Sequence, residues 1–152
     1  MPIDQTLLNE QAAEAAKALV DALAQGIAGI TLAERDGYCE IELVNPFKAN
    51  EPIRISTENA ELTFEFGQCH THFYDYDGLQ SEADLVEQMV VKVERIVGGE
   101  EASYSAWAGE GCFGGGWLPV NGDGREQSNY FPRADRLQVV AWEPGNDREI
   151  CR

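Results

Sequence analysis

Positive charge is scarce in this sequence: 11 lysine and arginine residues stand against 27 aspartate and glutamate residues, for a net charge of −16. A surface of this sign repels nucleic-acid phosphates and anionic lipid, so we expect no direct binding to nucleic acid or to a membrane. It attracts a basic partner and accelerates the encounter at low salt. A negative net charge also keeps a protein soluble, whether or not it binds a partner. The charge therefore predicts a basic partner only in combination with other features.

Long apolar runs and paired cysteines are also missing. No stretch approaches the length of a membrane span, and residues 1–4 lack the basic start and apolar run of an export signal. We therefore expect a cytoplasmic protein. The four cysteines, Cys39, Cys69, Cys112 and Cys151, contain no CxxC pair. This spacing does not suit a four-cysteine zinc site, and in a reducing cytosol the four are expected to be free thiols.

The sequence contains no complete set of catalytic residues. No serine lies in a GxSxG elbow. Residues 109–114 match GxGxxG, but Gly-Gly-Trp-Leu-Pro follows, and that run cannot form the helix that a dinucleotide site requires. We expect a protein that is not an enzyme and has no cofactor.

Two amphipathic helices are predicted from apolar residues at helical spacing. The first covers residues 4–25, with Asp4 or Thr6 as its N-cap and a stripe formed by Leu8, Ala12, Ala15, Leu19 and Leu23. The second begins at a capping box made by Ser81 and Asp84 and ends at Gly98 and Gly99. Its stripe consists of Leu85, Met89, Val93 and Ile96.

Period-two alternation predicts the strands. These lie at residues 30–32, 39–43, 53–56, 61–66, 102–107 and 137–142, with a tight turn at Asp36 and Gly37 joining the first two. The glycines of residues 109–116 are expected to form a mobile or tightly turning hairpin loop. We predict a single α+β domain over residues 1–152, with a mostly antiparallel sheet and two main helices packed on one face. Its expected core includes Leu62, Phe64, Phe66, Leu85, Met89, Val93, Val139 and Ala141.

Side chains that could bind a metal ion or take part in catalysis are concentrated in residues 69–77. His70, His72 and Asp75 are metal-ligating types, and two histidines two residues apart on a strand point to the same side. These three side chains define the alternative function, a metal-dependent enzyme or metal-binding protein. A cysteine beside a histidine could also act as a nucleophile and its base, but the spacing favours neither possible pair, Cys69 with His70 or Cys112 with His72.

Aromatic residues next to acids suggest a protein-binding surface instead. Tyrosine and tryptophan are enriched where interfaces have their strongest contacts. The candidate partner-binding residues lie near turns or glycine-rich segments: Tyr74, Asp75, Tyr76, Asp77, Glu110, Trp117 and Asp123. Some of these aromatics are expected to belong to the ordinary packing of a sheet.

Residues 64–73 contain the end of a strand and the motif Phe-Gly-x-x-His-x-His-Phe, which occupies residues 66–73 and precedes a turn and an amphipathic helix. This arrangement resembles small bacterial immunity proteins, which protect a cell against contact-delivered or other polymorphic toxins, and by element order it extends over residues 60–142. The resemblance implies a cytoplasmic, non-catalytic inhibitor that occludes the active or substrate-binding site of a basic toxin, often a nuclease. It assigns no individual residues, because contact positions in such families differ between partners.

Overall fold

Two antiparallel sheets and three α-helices form the structure, a computed structural model that describes residues 2–152. The helices are α1 (Gln5–Ala22), α2 (Glu82–Val97) and α3 (Arg125–Tyr130). The first sheet contains β1 (Gly29–Glu34), β2 (Cys39–Val44), β3 (Ile53–Ser56), β4 (Leu62–Phe66) and β5 (Cys69–Phe73). The second contains β6 (Glu101–Ala108), β7 (Gly111–Pro119), β8 (Arg136–Val140) and β9 (Arg148–Cys151). The predicted α+β class with antiparallel pairing is confirmed, and the strands are divided between two sheets.

The first sheet is a meander in the order β1-β2-β3-β4-β5. One face carries buried residues such as Ile41, Leu43 and Phe64, which pack with the apolar stripes of α1 and α2 into one core. The other face carries polar residues such as Glu42 and Glu65, as alternation along a half-buried strand requires. The predicted strands in this half of the chain are confirmed to within about two residues at each end, the usual uncertainty of such boundaries.

Helix α1 begins where its capping residue predicts and ends earlier than expected. The Asp4 side chain accepts a hydrogen bond from the Leu7 backbone N–H, whereas Leu23 already leaves the helical conformation. The buried residues are Leu8, Ala12, Ala16 and Leu19, and Ala15 is only partly buried. Gly26 lies in the turn that follows, where a Cβ atom would come 2.6 Å from a methyl group of Val97.

The glycine-rich residues form a strand, so the prediction of a hairpin loop for the glycines of residues 109–116 was wrong beyond the turn itself. Gly111–Pro119 form β7, and the turn that joins β6 to β7 is confined to the few residues around Gly109. Glycine fits this strand because neighbouring atoms come very close: a Cβ atom on Gly115 would lie 2.2 Å from the Tyr104 carbonyl oxygen. Glycine in a strand often marks such an approach.

A second core lies on one face of the second sheet, whose strand order is β7-β6-β8-β9. Tyr104, Val139 and Ala141 belong to this core. The opposite face of β6 meets the first sheet, where Ser103 lies against Gly67 in the β4–β5 turn. All eight residues predicted for the core are buried, but they are divided between the two cores.

Candidate binding surface

The segment between β5 and α2 exposes three large side chains. Tyr74 is 48% exposed, Tyr76 is 75% exposed and Leu79 is 83% exposed. The two tyrosine rings pack edge to face, with their centroids 5.6 Å apart and their planes inclined at 63°. We call Tyr74, Tyr76 and Leu79 the exposed aromatic patch. Exposed apolar side chains gathered in one segment are typical of an interaction site.

Asp75 and Asp77, which alternate with the tyrosines, hold this segment in shape. Asp75 Oδ1 accepts a hydrogen bond of 2.9 Å from the backbone N–H of Gln80, and Asp77 Oδ1 accepts one of 3.0 Å from that of Leu79. Within residues 2–152, neither carboxylate forms an ion pair. Both carboxylates are therefore oriented by the backbone while their negative charge remains unneutralised by this chain.

The exposed aromatic patch lies in the longest stretch of the chain that lacks lysine and arginine. Residues 55–91 contain no cation apart from any charge on the two histidines, and their acids are Glu58, Glu61, Glu65, Asp75, Asp77, Glu82, Asp84 and Glu87. Elsewhere many cations lie next to acids, as in the Arg35–Glu40 pair at 2.9 Å. The sequence interpretation used the net charge of the whole chain and missed this stretch, which a count of charges in a sliding window would have found.

Trp117 lies in the packing between α2 and the two sheets. Its ring is 6.0 Å from the Phe64 ring, and the Lys92 ammonium lies 3.8 Å from the indole centroid. Lys92 also pairs with Glu101. Burial lowers the pKa of Lys92, and Glu101 opposes that effect. A tryptophan held in this way stabilises the junction and offers a partner only its remaining edge.

Glu110 and Asp123 lie on separate connections of the second sheet. Glu110 is exposed in the β6–β7 turn. Asp123 precedes α3, where its carboxylate accepts a hydrogen bond from the Arg125 backbone N–H and lies 3.4 Å from the Arg125 side chain. Asp123 therefore has a cation beside it, in contrast to Asp75 and Asp77.

The histidines occupy the exposed face of β5, as their spacing predicts. The rings of His70 and His72 are 5.2 Å apart, and His72 Nδ1 lies 2.8 Å from a Glu61 carboxylate oxygen. Asp75 is engaged by Gln80 in the following turn. In residues 2–152, no three histidine, cysteine, aspartate or glutamate side chains are grouped to hold a metal ion. The alternative set of His70, His72 and Asp75 is thus not assembled in this structure.

Cys69 lies on the opposite side of β5 from the histidines, because successive side chains of a strand alternate. It is buried, and burial raises the pKa of its thiol, with Lys92 opposing that effect. A buried thiol with a raised pKa, on the opposite side of the strand from the His70 ring, is not arranged as a nucleophile with its base. All four cysteines are free, as predicted.

Comparisons with protein-family models, with curated proteins and with solved structures found no match. Within residues 2–152, no helix combines the length and apolar character needed to cross a membrane. The resemblance to immunity proteins stays a prediction from residues 60–142.

Proposed function

We propose that this protein is a non-catalytic binding protein that neutralises a basic bacterial toxin, in the cytoplasm, by covering the toxin's active or substrate-binding site. The observation that carries the proposal is the exposed aromatic patch within a stretch, residues 55–91, that has eight carboxylates and no lysine or arginine. Apolar anchors surrounded by charge of one sign are a suitable surface for a partner of the opposite sign.

A nuclease is the toxin class that this chemistry suits best. A nuclease binds substrate phosphates through lysine and arginine, and carboxylates such as Asp75 and Asp77 can pair with those same groups. Tyr74, Tyr76 and Leu79 would supply the dry centre of the interface, where a few buried side chains contribute most of the binding free energy. Because inhibition then requires only that substrate be excluded, the inhibitor needs no catalytic group of its own.

The experiment is to express the neighbouring open reading frames in a host with and without this protein. We expect one of them to encode a toxic basic protein and this chain to restore growth. Tyr76→Ala should weaken the protection, whereas Tyr130→Ala should preserve it, because Tyr130 is similarly exposed, at 63%, but lies outside residues 55–91. If no neighbour is toxic and no basic partner is captured from the native cell, the inhibitor proposal should be dropped.

A further inference from the structure

We propose that the exposed aromatic patch is a receptor for arginine side chains and distinguishes them from lysine. This inference rests on the proposed function, because it names the groups on the basic partner that the patch would bind. It arises from the combination of two exposed tyrosine rings with two carboxylates that this chain does not neutralise.

The tyrosine rings provide the apolar half of such a receptor. Their edge-to-face contact holds Tyr74 and Tyr76 beside each other, so that an approaching side chain meets an aromatic surface that already has a defined shape. A planar guanidinium group can stack on this surface and be attracted to its negative face. An ammonium group is a compact and strongly hydrated charge, and gains less from stacking.

The carboxylates provide the polar half. Asp75 and Asp77 each use Oδ1 for a backbone hydrogen bond, and no hydrogen bond within residues 2–152 occupies their Oδ2 atoms. A guanidinium group has five N–H donors in a fixed fork, so it can stack on a ring and still donate to a neighbouring carboxylate. Lys92 and Arg95 line a groove together with Gln80, but both lie within 4.0 Å of Glu101 and neither pairs with Asp75 or Asp77.

The segment is tied to α2, which reduces the cost of ordering it on binding. Gln80 donates its backbone N–H to Asp75, and its side-chain oxygen accepts a hydrogen bond of 2.6 Å from Gln88 on the helix. Ser81 and Asp84 then form the complete capping box of α2. A receptor that is ordered before binding loses less conformational entropy when the partner arrives.

The test compares two fluorescent peptides of equal length, oligoarginine and oligolysine, by titration into the full-length protein at fixed salt. Tyr76→Leu keeps an apolar side chain but removes the ring, and should weaken oligoarginine binding roughly two- to five-fold while changing oligolysine binding less. Asp77→Asn retains an oxygen that accepts from Leu79 and removes only the charge. Its matched control is Asp123→Asn, because the Asp123 carboxylate also accepts a backbone N–H two residues ahead.

We expect Asp77→Asn to weaken oligoarginine binding more than Asp123→Asn does. An arginine-to-lysine affinity ratio that Tyr76→Leu leaves unchanged would overturn the inference, as would equal losses in the two asparagine variants. These outcomes are separate from the growth experiment. If a toxin is neutralised but the peptide ratio does not respond to Tyr76→Leu, the inhibitor function stands and the arginine receptor fails. If the ratio responds but no toxin is found, the receptor stands and the inhibitor function fails.

Discussion

At the scale of single residues, Gly67 shows how closely the two sheets approach. Its φ of +62° is in the left-handed region, and a Cβ atom at this position would lie 2.3 Å from the Ser103 hydroxyl oxygen. Gly37 also has a positive φ, of +86°, but has no atom within 4 Å of such a Cβ atom. Alanine substitutions at the two positions therefore allow the strain of the left-handed backbone to be measured separately from the steric clash with Ser103.

We expect Gly67→Ala to lower the free energy of unfolding by more than Gly37→Ala does. Both variants should pay about 1–2 kcal/mol for the left-handed backbone, and only Gly67→Ala must also displace Ser103. Urea denaturation followed by circular dichroism measures both. Equal losses would show that the β4–β5 turn can move away from β6 without cost.

The four cysteines differ in burial, and their reactivity should follow it. Cys39 and Cys69 are buried, whereas Cys112 and Cys151 are exposed. The Glu149 carboxylate raises the pKa of the Cys151 thiol, which lowers the fraction of reactive thiolate.

Alkylation of the native protein at mildly alkaline pH should therefore modify Cys112 first, then Cys151, and leave the buried pair unmodified. Mass spectrometry of digested samples reports each site, and urea-unfolded protein is the control in which all four react. Rapid modification of native Cys69 would contradict its burial.

At the scale of elements, helix α2 depends on its capping box. The Ser81 side chain accepts a hydrogen bond from the Asp84 backbone N–H, and the Asp84 carboxylate accepts one of 2.8 Å from the Ser81 backbone N–H. These bonds from Ser81 hold the pKa of Asp84 below its usual value. The stabilisation is therefore present at neutral pH and is lost as the pH falls through that lowered pKa.

We expect Ser81→Ala to lower the free energy of unfolding by about 1 kcal/mol at neutral pH. The pH-dependent half of the box belongs to Asp84, so it is the loss caused by Asp84→Ala that should narrow on acidification, because protonated Asp84 no longer completes the box in the wild type either. Urea denaturation at a series of pH values measures this. A matched control is Ser128→Ala, since Ser128 is half-buried in α3 and caps neither long helix. An Asp84→Ala loss that does not change with pH would argue against the reciprocal box.

At the scale of the whole molecule, the two cores are physically connected. Trp142 lies two residues after the end of β8, a strand of the second sheet, yet packs in the first core, where its indole N–H donates to the Gly26 carbonyl oxygen at 2.6 Å. Asn45 and Lys48 in the first half of the chain donate to the Trp142 and Ala141 carbonyl oxygens. We propose on these contacts that residues 1–152 form a single domain.

A single domain should unfold in one cooperative transition. The urea transitions followed by tryptophan fluorescence and by far-ultraviolet circular dichroism are expected to coincide, because neither sheet keeps its packing once the other is lost. The Gln68→Ala variant, altered at an exposed side chain in the β4–β5 turn, provides a control in which both midpoints should stay unchanged. Two separated transitions would contradict the proposal and indicate that the two cores unfold independently.

Because of the net charge, added salt should stabilise the free protein against unfolding and should slow its association with a basic partner. Charges of one sign repel within the folded chain, so raising NaCl from about 0.05 to about 0.5 M shortens the Debye length and should raise the melting temperature. The same screening should slow association with a basic partner more than it accelerates dissociation. Thermal melts and stopped-flow binding measure the two effects. A melting temperature that falls over this range would contradict the repulsion.

The sequence by itself determined the elements whose signals are local. The capping box of α2, the alternation in β2 and β4 and the turn at Gly37 each depend on residues close together in the chain, so their positions could be read directly. The charge and the aromatic residues of the segment between β5 and α2 were also visible in the sequence, and the structure adds which of their side chains are exposed.

Only the tertiary structure determined how these elements pack against one another. The run of glycines around Gly115 predicts a loop. In the structure Gly115 lies in a strand, and glycine is needed there because the Tyr104 carbonyl oxygen on the neighbouring strand leaves no room for a Cβ atom. The sequence predicts Trp117 as an anchor for a partner, whereas in the structure Phe64 and Lys92 pack against its ring. Cys69 and His70 are adjacent in sequence and face opposite sides of β5. Such relations depend on contacts between distant parts of the chain, which no local pattern encodes.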